Sequence, residues 1–169
     1  LQVITNTAGT YSPTLTSVEN ISLNNTAAGA VTLDTTNATG VTSLTALSPS
    51  AQALTFSNIS DLSTSLNVSS MTLGATVTFD MLDTAVTGTD DTASLTVKST
   101  TTGTIAVDNS VETLNVISTG GANTLTALTN AANTINISGT AALTLGGQNA
   151  TAETIISTST GAVTLTSNN

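Results

Sequence analysis

The sequence predicts an all-β protein, a right-handed parallel β-solenoid-like stack of short strands. Three observations carry that prediction: a period-two alternation broken at short intervals, a composition rich in threonine and poor in aromatics, and internal self-similarity. Apolar residues alternate with Thr, Ser or Asn in the segments 21–23, 31–33, 44–47, 54–56, 66–68 and 77–79. The pattern continues through 95–97, 105–107, 114–116, 125–128, 135–137, 143–145, 155–156 and 163–165, with starts mostly 8 to 13 residues apart. Successive side chains of a strand face opposite sides, so Leu, Val and Ile point inward and the intervening polar residue outward. The residues expected in the core include Leu23, Leu33, Val68, Val97, Val116, Leu128, Ile137 and Leu145.

Composition agrees with all-β structure. The chain holds 40 Thr and 20 Ser, more than a third of its 169 residues. Thr is β-branched and favours strands, whereas Ser and Asn favour turns. Aromatics are only Tyr11, Phe56 and Phe79, so the core is expected to be thin, layered and built from small aliphatic groups. A β-sandwich would gather individual aromatic landmarks into one core. Here the strands are short and nearly interchangeable, which suits rungs that pack only on their neighbours.

The sequence also resembles itself. The run 17–23 (SVENISL) matches 110–116 (SVETLNV), with 151–157 (TAETIIS) a weaker third copy. The run 41–47 (VTSLTAL) is echoed by 123–128 (NTLTAL). Pro13 and Pro49 are expected in turns, where a missing N–H does no harm. One stretch interrupts the rhythm: residues 80–93 hold four of the ten acids. The chain therefore divides into a first solenoid stretch (1–79), an acidic excursion or junction (80–93) and a second stretch (94–169). It opens on Leu1-Gln2-Val3-Ile4 without an initiator methionine, as an internal fragment of a longer protein would.

Charge narrows the function. Ten acids face one cation, Lys98, for a net charge of −9. A chain without Arg cannot neutralise a run of phosphates, which argues against nucleic acid and anionic lipid surfaces as partners. No apolar run approaches a membrane span. There is no His for base work near neutral pH and no Cys nucleophile, so the expectation is a protein that is not an enzyme. Carboxylates alone can hydrolyse glycosides, but such sites grip sugars on aromatic platforms that this chain lacks.

Transition metals want imidazole or thiolate ligands that are missing, whereas calcium needs only oxygens. Asp80, Asp83, Asp90 and Asp91, with carbonyls of the Gly88 turn, are the candidate calcium ligands, and Asp108 is placed to stack beside Asp90. The alternative is that these are solvated turn aspartates. The calcium nonapeptide of RTX repeats is not intact: runs 120–123 (GGAN) and 146–149 (GGQN) begin like it without its aspartate. Sequons at Asn20, Asn37, Asn58, Asn67, Asn136 and Asn149 are numerous because Asn, Ser and Thr are. Thr-x-Thr runs such as 76–78 invite an ice-ordering role, which irregular rung lengths oppose.

The runs 18–47 and 111–128 resemble RTX-type surface-layer (S-layer) proteins of Gram-negative bacteria, the Caulobacter type. Those proteins repeat a Val/Ile-Glu-Thr rung followed by a Thr/Ala/Gly-rich run ending in Leu-Thr-Ala-Leu. Run 87–97 (TGTDDTASLTV) is similar to a segment that precedes such a rung. The resemblance implies an extracellular structural protein that self-associates into a calcium-dependent lattice on the bacterial cell surface. It also implies type I secretion and anchoring to surface polysaccharide through regions outside this chain. A surface adhesin or autotransporter-like stalk is the competing reading of the same solenoid, since only a coat makes a two-dimensional lattice.

Overall fold

In the computed structural model, which describes residues 1–47, 51–71, 74–147 and 154–166, short strands follow one another with almost no other element. In chain order they are β1 (Gln2–Thr5), β2 (Gly9–Tyr11), β3 (Leu15–Thr16), β4 (Asn20–Asn25), β5 (Val31–Asp34) and β6 (Ala38–Thr39). Then come β7 (Ser43–Leu47), β8 (Leu54–Ile59), β9 (Ser65–Ser69), β10 (Thr76–Met81), β11 (Thr92–Lys98) and β12 (Thr101–Val107). The series closes with β13 (Thr113–Thr119), β14 (Asn123–Thr129), β15 (Thr134–Gly139), β16 (Leu143–Gly146), β17 (Thr154–Ser157) and β18 (Val163–Thr166). A 3-10 turn, Asp83–Ala85, follows β10.

The strands form two eight-stranded sheets, here called A (β1-β4-β7-β9-β11-β13-β15-β17) and B (β2-β5-β8-β10-β12-β14-β16-β18). Every pairing is parallel, and the chain crosses from A to B and back once per rung. This is a parallel β-solenoid of about seven turns, as the alternation predicts. A two-stranded strip, β3-β6, gives the first two rungs a third side. The sequence reading passes over β1, β2, β3 and β6, which lack a repeated apolar–polar–apolar core. Pro13 lies between β2 and β3, outside any strand. Pro49, Asn149 and the 151–153 part of the third self-similar copy lie outside the described residues.

The core is a file of inward side chains from both sheets. Leu23, Leu44, Leu66, Leu95 and Leu114 are fully buried, as are the other expected core residues, Leu33, Val68, Val97, Val116, Leu128, Ile137 and Leu145. An interior of small aliphatic groups alone is not what forms. Phe56 and Phe79 are fully buried and stack with ring centroids 5.5 Å apart. The parallel register sets Tyr11, Leu33, Phe56, Phe79 and Val107 in one inward column of sheet B. Each ring occupies one aliphatic slot in its column and gains an offset-stacking contact besides burial.

Asparagines hold several corners. Asn123 is buried, receives the Thr100 N–H (2.8 Å) and donates to Ser118 Oγ (2.9 Å) and the Thr119 carbonyl (3.1 Å). Buried Asn25 donates to the Gly29 and Ala53 carbonyls and receives the Ala27 N–H at 2.9 Å. Such side chains satisfy backbone groups that leave the sheets at each bend.

Rung length varies. Gln2 pairs with Ser22 and Leu143 with Val163, steps of 20, whereas Val31 pairs with Leu54, a step of 23. The long rung pairs Leu66 with Leu95 and Val77 with Ile105. Its added length lies in residues 82–91, between β10 and β11, and both sheets pass this bend without a break. The two LTAL runs fall on different sheets, 44–47 on A and 125–128 on B. An alternating run packs equally well on either.

Candidate functional site

The solenoid has two long edges, one where the chain passes from sheet A to sheet B and one where it returns. The acids choose the return edge. Glu19 precedes β4, Asp34 ends β5, and Asp61 lies between β8 and β9. Asp80, Asp83, Asp90 and Asp91 lie at the β10–β11 bend, and Asp108 and Glu112 at the β12–β13 bend. Every acid among the described residues is on this edge. Lys98 ends β11 on the opposite edge, where it borders a groove of about 230 Å³ with Ser43, Thr45, Asn67, Ser69 and Thr96.

Part of this acidity is built into the fold. Glu19, Asp91 and Glu112 occupy equivalent places just before a sheet A strand. The Glu19 carbonyl accepts the N–H groups of Thr42 (2.7 Å) and Ser43 (2.9 Å) on the next rung. The Asp91 carbonyl accepts those of Glu112 and Thr113, both at 3.0 Å, and that of Glu112 accepts those of Asn133 (2.8 Å) and Thr134 (3.2 Å). The 17–23 and 110–116 repeats are thus one corner used twice.

The five sequence-predicted calcium ligands all lie on this edge, in two groups. Asp108 lies against the end of β10, its Oδ2 accepting the Met81 N–H at 3.0 Å and its own N–H reaching the Phe79 carbonyl at 3.0 Å. Its Oδ1 accepts the Ser110 N–H at 2.8 Å. Asp80 is exposed beside it. Partial burial, then the charges of Asp108 and Asp83, push the Asp80 carboxyl above its ordinary range. At the other end of the bend, Asp91 Oδ2 accepts the Gly88 N–H at 3.0 Å, and the Asp91 N–H donates to Glu112 Oε2 at 2.8 Å. Asp90 is exposed. Among the described residues no group of three or more acids is placed to hold one metal ion within this chain.

Sequence reasoning passed over Asp34, the best-satisfied acid of the edge. Its Oδ1 accepts the Thr36 hydroxyl (2.6 Å), the Thr36 N–H (3.0 Å) and the Asn58 amide (2.9 Å), and its Oδ2 accepts the Ser12 hydroxyl (3.0 Å). These bonds, the Thr36 hydroxyl foremost, hold its carboxyl well below the usual range. Asp61 is lowered in the same way by the Ser63 hydroxyl and N–H. Asp34 and Asp61 are therefore structural anions held by neighbouring hydrogen bonds, and the Asp80 carboxyl accepts a backbone hydrogen bond from Asn58, while Asp83 and Asp90 are exposed to solvent. Of the sequons, Asn58, Asn67 and Asn136 spend their side-chain amides on hydrogen bonds within the fold.

No family profile matches the chain, and neither a curated protein nor a solved structure matches it.

Proposed function

We propose that the chain is a non-enzymatic structural segment of a bacterial surface layer, assembling with its copies into a calcium-dependent protective lattice outside the cell. The observation that carries this reading is the single acidic edge. Rods that bear their negative charge along one side repel one another when those sides meet. The Asp83 and Asp90 carboxylates of the β10–β11 bend are exposed on each rod, and among the described residues no three acids of one rod are grouped to hold a metal ion. A divalent cation prefers six or more oxygens, and two facing edges supply more of them than one. Calcium then joins rods laterally, turning like-charge repulsion into a bridge. The resemblance to RTX-type S-layer sequences supports the same assignment. A stalk-like adhesin would use the same solenoid as an isolated rod, with nothing to gain from a sticky side.

Calorimetric titration of calcium into the chain tests this, with an Asp90→Asn, Asp91→Asn double variant beside it. Each change removes a charge and nearly preserves shape. Measurable heat from the parent and a several-fold weaker response from the variant are expected, with circular dichroism unchanged. Identical heats would remove this bend as the site, and no heat from either would remove calcium from this chain's function.

A further inference from the structure

We infer that Asn37 is a site of N-linked glycosylation, its side-chain amide accepting a sugar from a glycosyl diphosphate donor. The acceptor for such transfer is the triplet Asn-x-Ser/Thr, and the chain holds several copies of it. Their number alone decides nothing. The fold decides, because it ties down every described copy but one.

Among the described residues the triplets begin at Asn20, Asn24, Asn37, Asn58, Asn67 and Asn136. Asn20 and Asn24 lie in β4, Asn58 in β8, Asn67 in β9 and Asn136 in β15. Each of these strands is hydrogen-bonded to a neighbour on both sides. A transferase must draw its triplet out as a bent loop, and here the middle residue is an inward one. Ile21, Ile59, Val68 and Ile137 are at most 2% exposed, and Asn25 is fully buried. Pulling any of them outward would open a rung.

Asn37 differs on each count. It lies in the turn between β5 and β6, closed by the Ala38 N–H on the Thr35 carbonyl at 2.9 Å. The Asp34 carboxylate holds the base of this turn through the Thr36 hydroxyl and N–H. Asn37 and Thr39 are both exposed. The Asn37 amide makes no side-chain hydrogen bond among the described residues, and the Thr39 hydroxyl makes one long bond, 3.4 Å, to the Leu15 carbonyl. The middle residue, Ala38, buries only a methyl group, in a two-residue strand that pairs with β3 alone. Gly40 follows at φ +80°, a conformation glycine adopts at no steric cost. An exposed turn on a rigid scaffold is where a modifying enzyme gains access.

The transfer balances as follows. Asn37 Nδ2 bonds to C1 of the sugar as the bond from C1 to the diphosphate oxygen breaks. The diphosphate leaves on its carrier, and one amide proton passes to a base of the transferase. No oxidant or reductant is needed. The carrier is either a nucleoside, which delivers a single hexose, or a polyprenyl lipid, which delivers an assembled oligosaccharide, and the chemistry at Asn37 is the same. A bulky, solubilising group of this kind belongs on the protein surface. Asn37 lies two rungs from the β10–β11 bend. A sugar there leaves Asp83 and Asp90 open, so this inference stands or falls separately from calcium bridging.

Mass spectrometry of the chain isolated from the cells that make it is the test, followed by peptide mapping. The map needs a protease that cuts at apolar residues, because Lys98 is the only tryptic site. A glycan on Asn37 is expected, absent from an Asn37→Gln variant whose circular dichroism is unchanged. Its mass identifies the donor: one hexose marks a nucleotide sugar, and a longer glycan marks a lipid-linked oligosaccharide. Thr39→Ala should lower occupancy at least tenfold, and Thr39→Ser should retain it, because the transferase reads the hydroxyl. An unmodified Asn37 in the isolated chain, or a glycan carried instead at Asn20, Asn24, Asn58, Asn67 or Asn136, would overturn the inference.

Discussion

Asn58 donates its side-chain amide to Asp34 Oδ1 at 2.9 Å, tying the bend after β5 to the next rung. Asn58 does so from a left-handed backbone, φ +58°, a conformation that Asn tolerates better than most residues. Ser12 reaches the other Asp34 oxygen from the preceding rung. One carboxylate therefore clips three successive rungs on the acidic edge.

That clip has a pH signature. The Asp34 carboxyl titrates lower in the folded chain than in the unfolded one, whose ordinary value is about 3.9. Its contribution is therefore complete above that value and is lost as the pH falls through the folded pKa. Thermal melts of the parent and Asp34→Ala are expected to differ at pH 7, with the gap narrowing progressively below about pH 4. A gap independent of pH would locate the effect in packing.

Asp80 behaves oppositely. Its folded carboxyl is raised, so the ionised form opposes folding and stability rises as the pH falls through the folded pKa. Asp80→Asn should stabilise the chain at neutral pH, by less than about 1 kcal/mol because solvent screens this exposed corner. The benefit should fade in acid, where Asp80 is already protonated. Thermal melts at pH 7 and pH 3.5 check this.

In the core, Phe79→Ala removes a fully buried ring and its stack on Phe56. A loss of about 3–5 kcal/mol is expected. Tyr11→Ala, in the same column but 36% exposed, should cost far less. Chemical denaturation of both variants measures the difference.

At the opposite edge, Asn123→Ala orphans the N–H of fully buried Thr100. The expected cost is on the order of 1–3 kcal/mol for that amide alone. Hydrogen exchange should show the loss of protection centred on Thr100 and the β11–β12 bend.

The strands were legible because the solenoid is a local code: each apolar–polar–apolar triplet such as Leu95-Thr96-Val97 states its own inward face. What the triplets do not state is which sheet they join, so the LTAL runs at 44–47 and 125–128 read alike and sit on different sheets. Phe56 and Phe79 lie 23 residues apart, and only the rung register makes them neighbours. The acidic edge was present in the sequence in another form. Acids occur only in every second gap between apolar runs, as with Asp34 and Asp61 flanking a gap after Leu47 that has none. Reading that requires knowing that successive strands alternate between two sheets. Asp34 was missed because its partners Ser12 and Asn58 lie 22 and 24 residues away.

Electron microscopy of the chain at fixed concentration, with calcium and after chelation, tests the central claim most directly. The account predicts two-dimensional arrays in calcium that separate into single rods when it is removed, and that fail to form when Asp80, Asp83 and Asp90 are replaced by Asn. Isolated rods in both conditions, or arrays indifferent to calcium and to those substitutions, would contradict it.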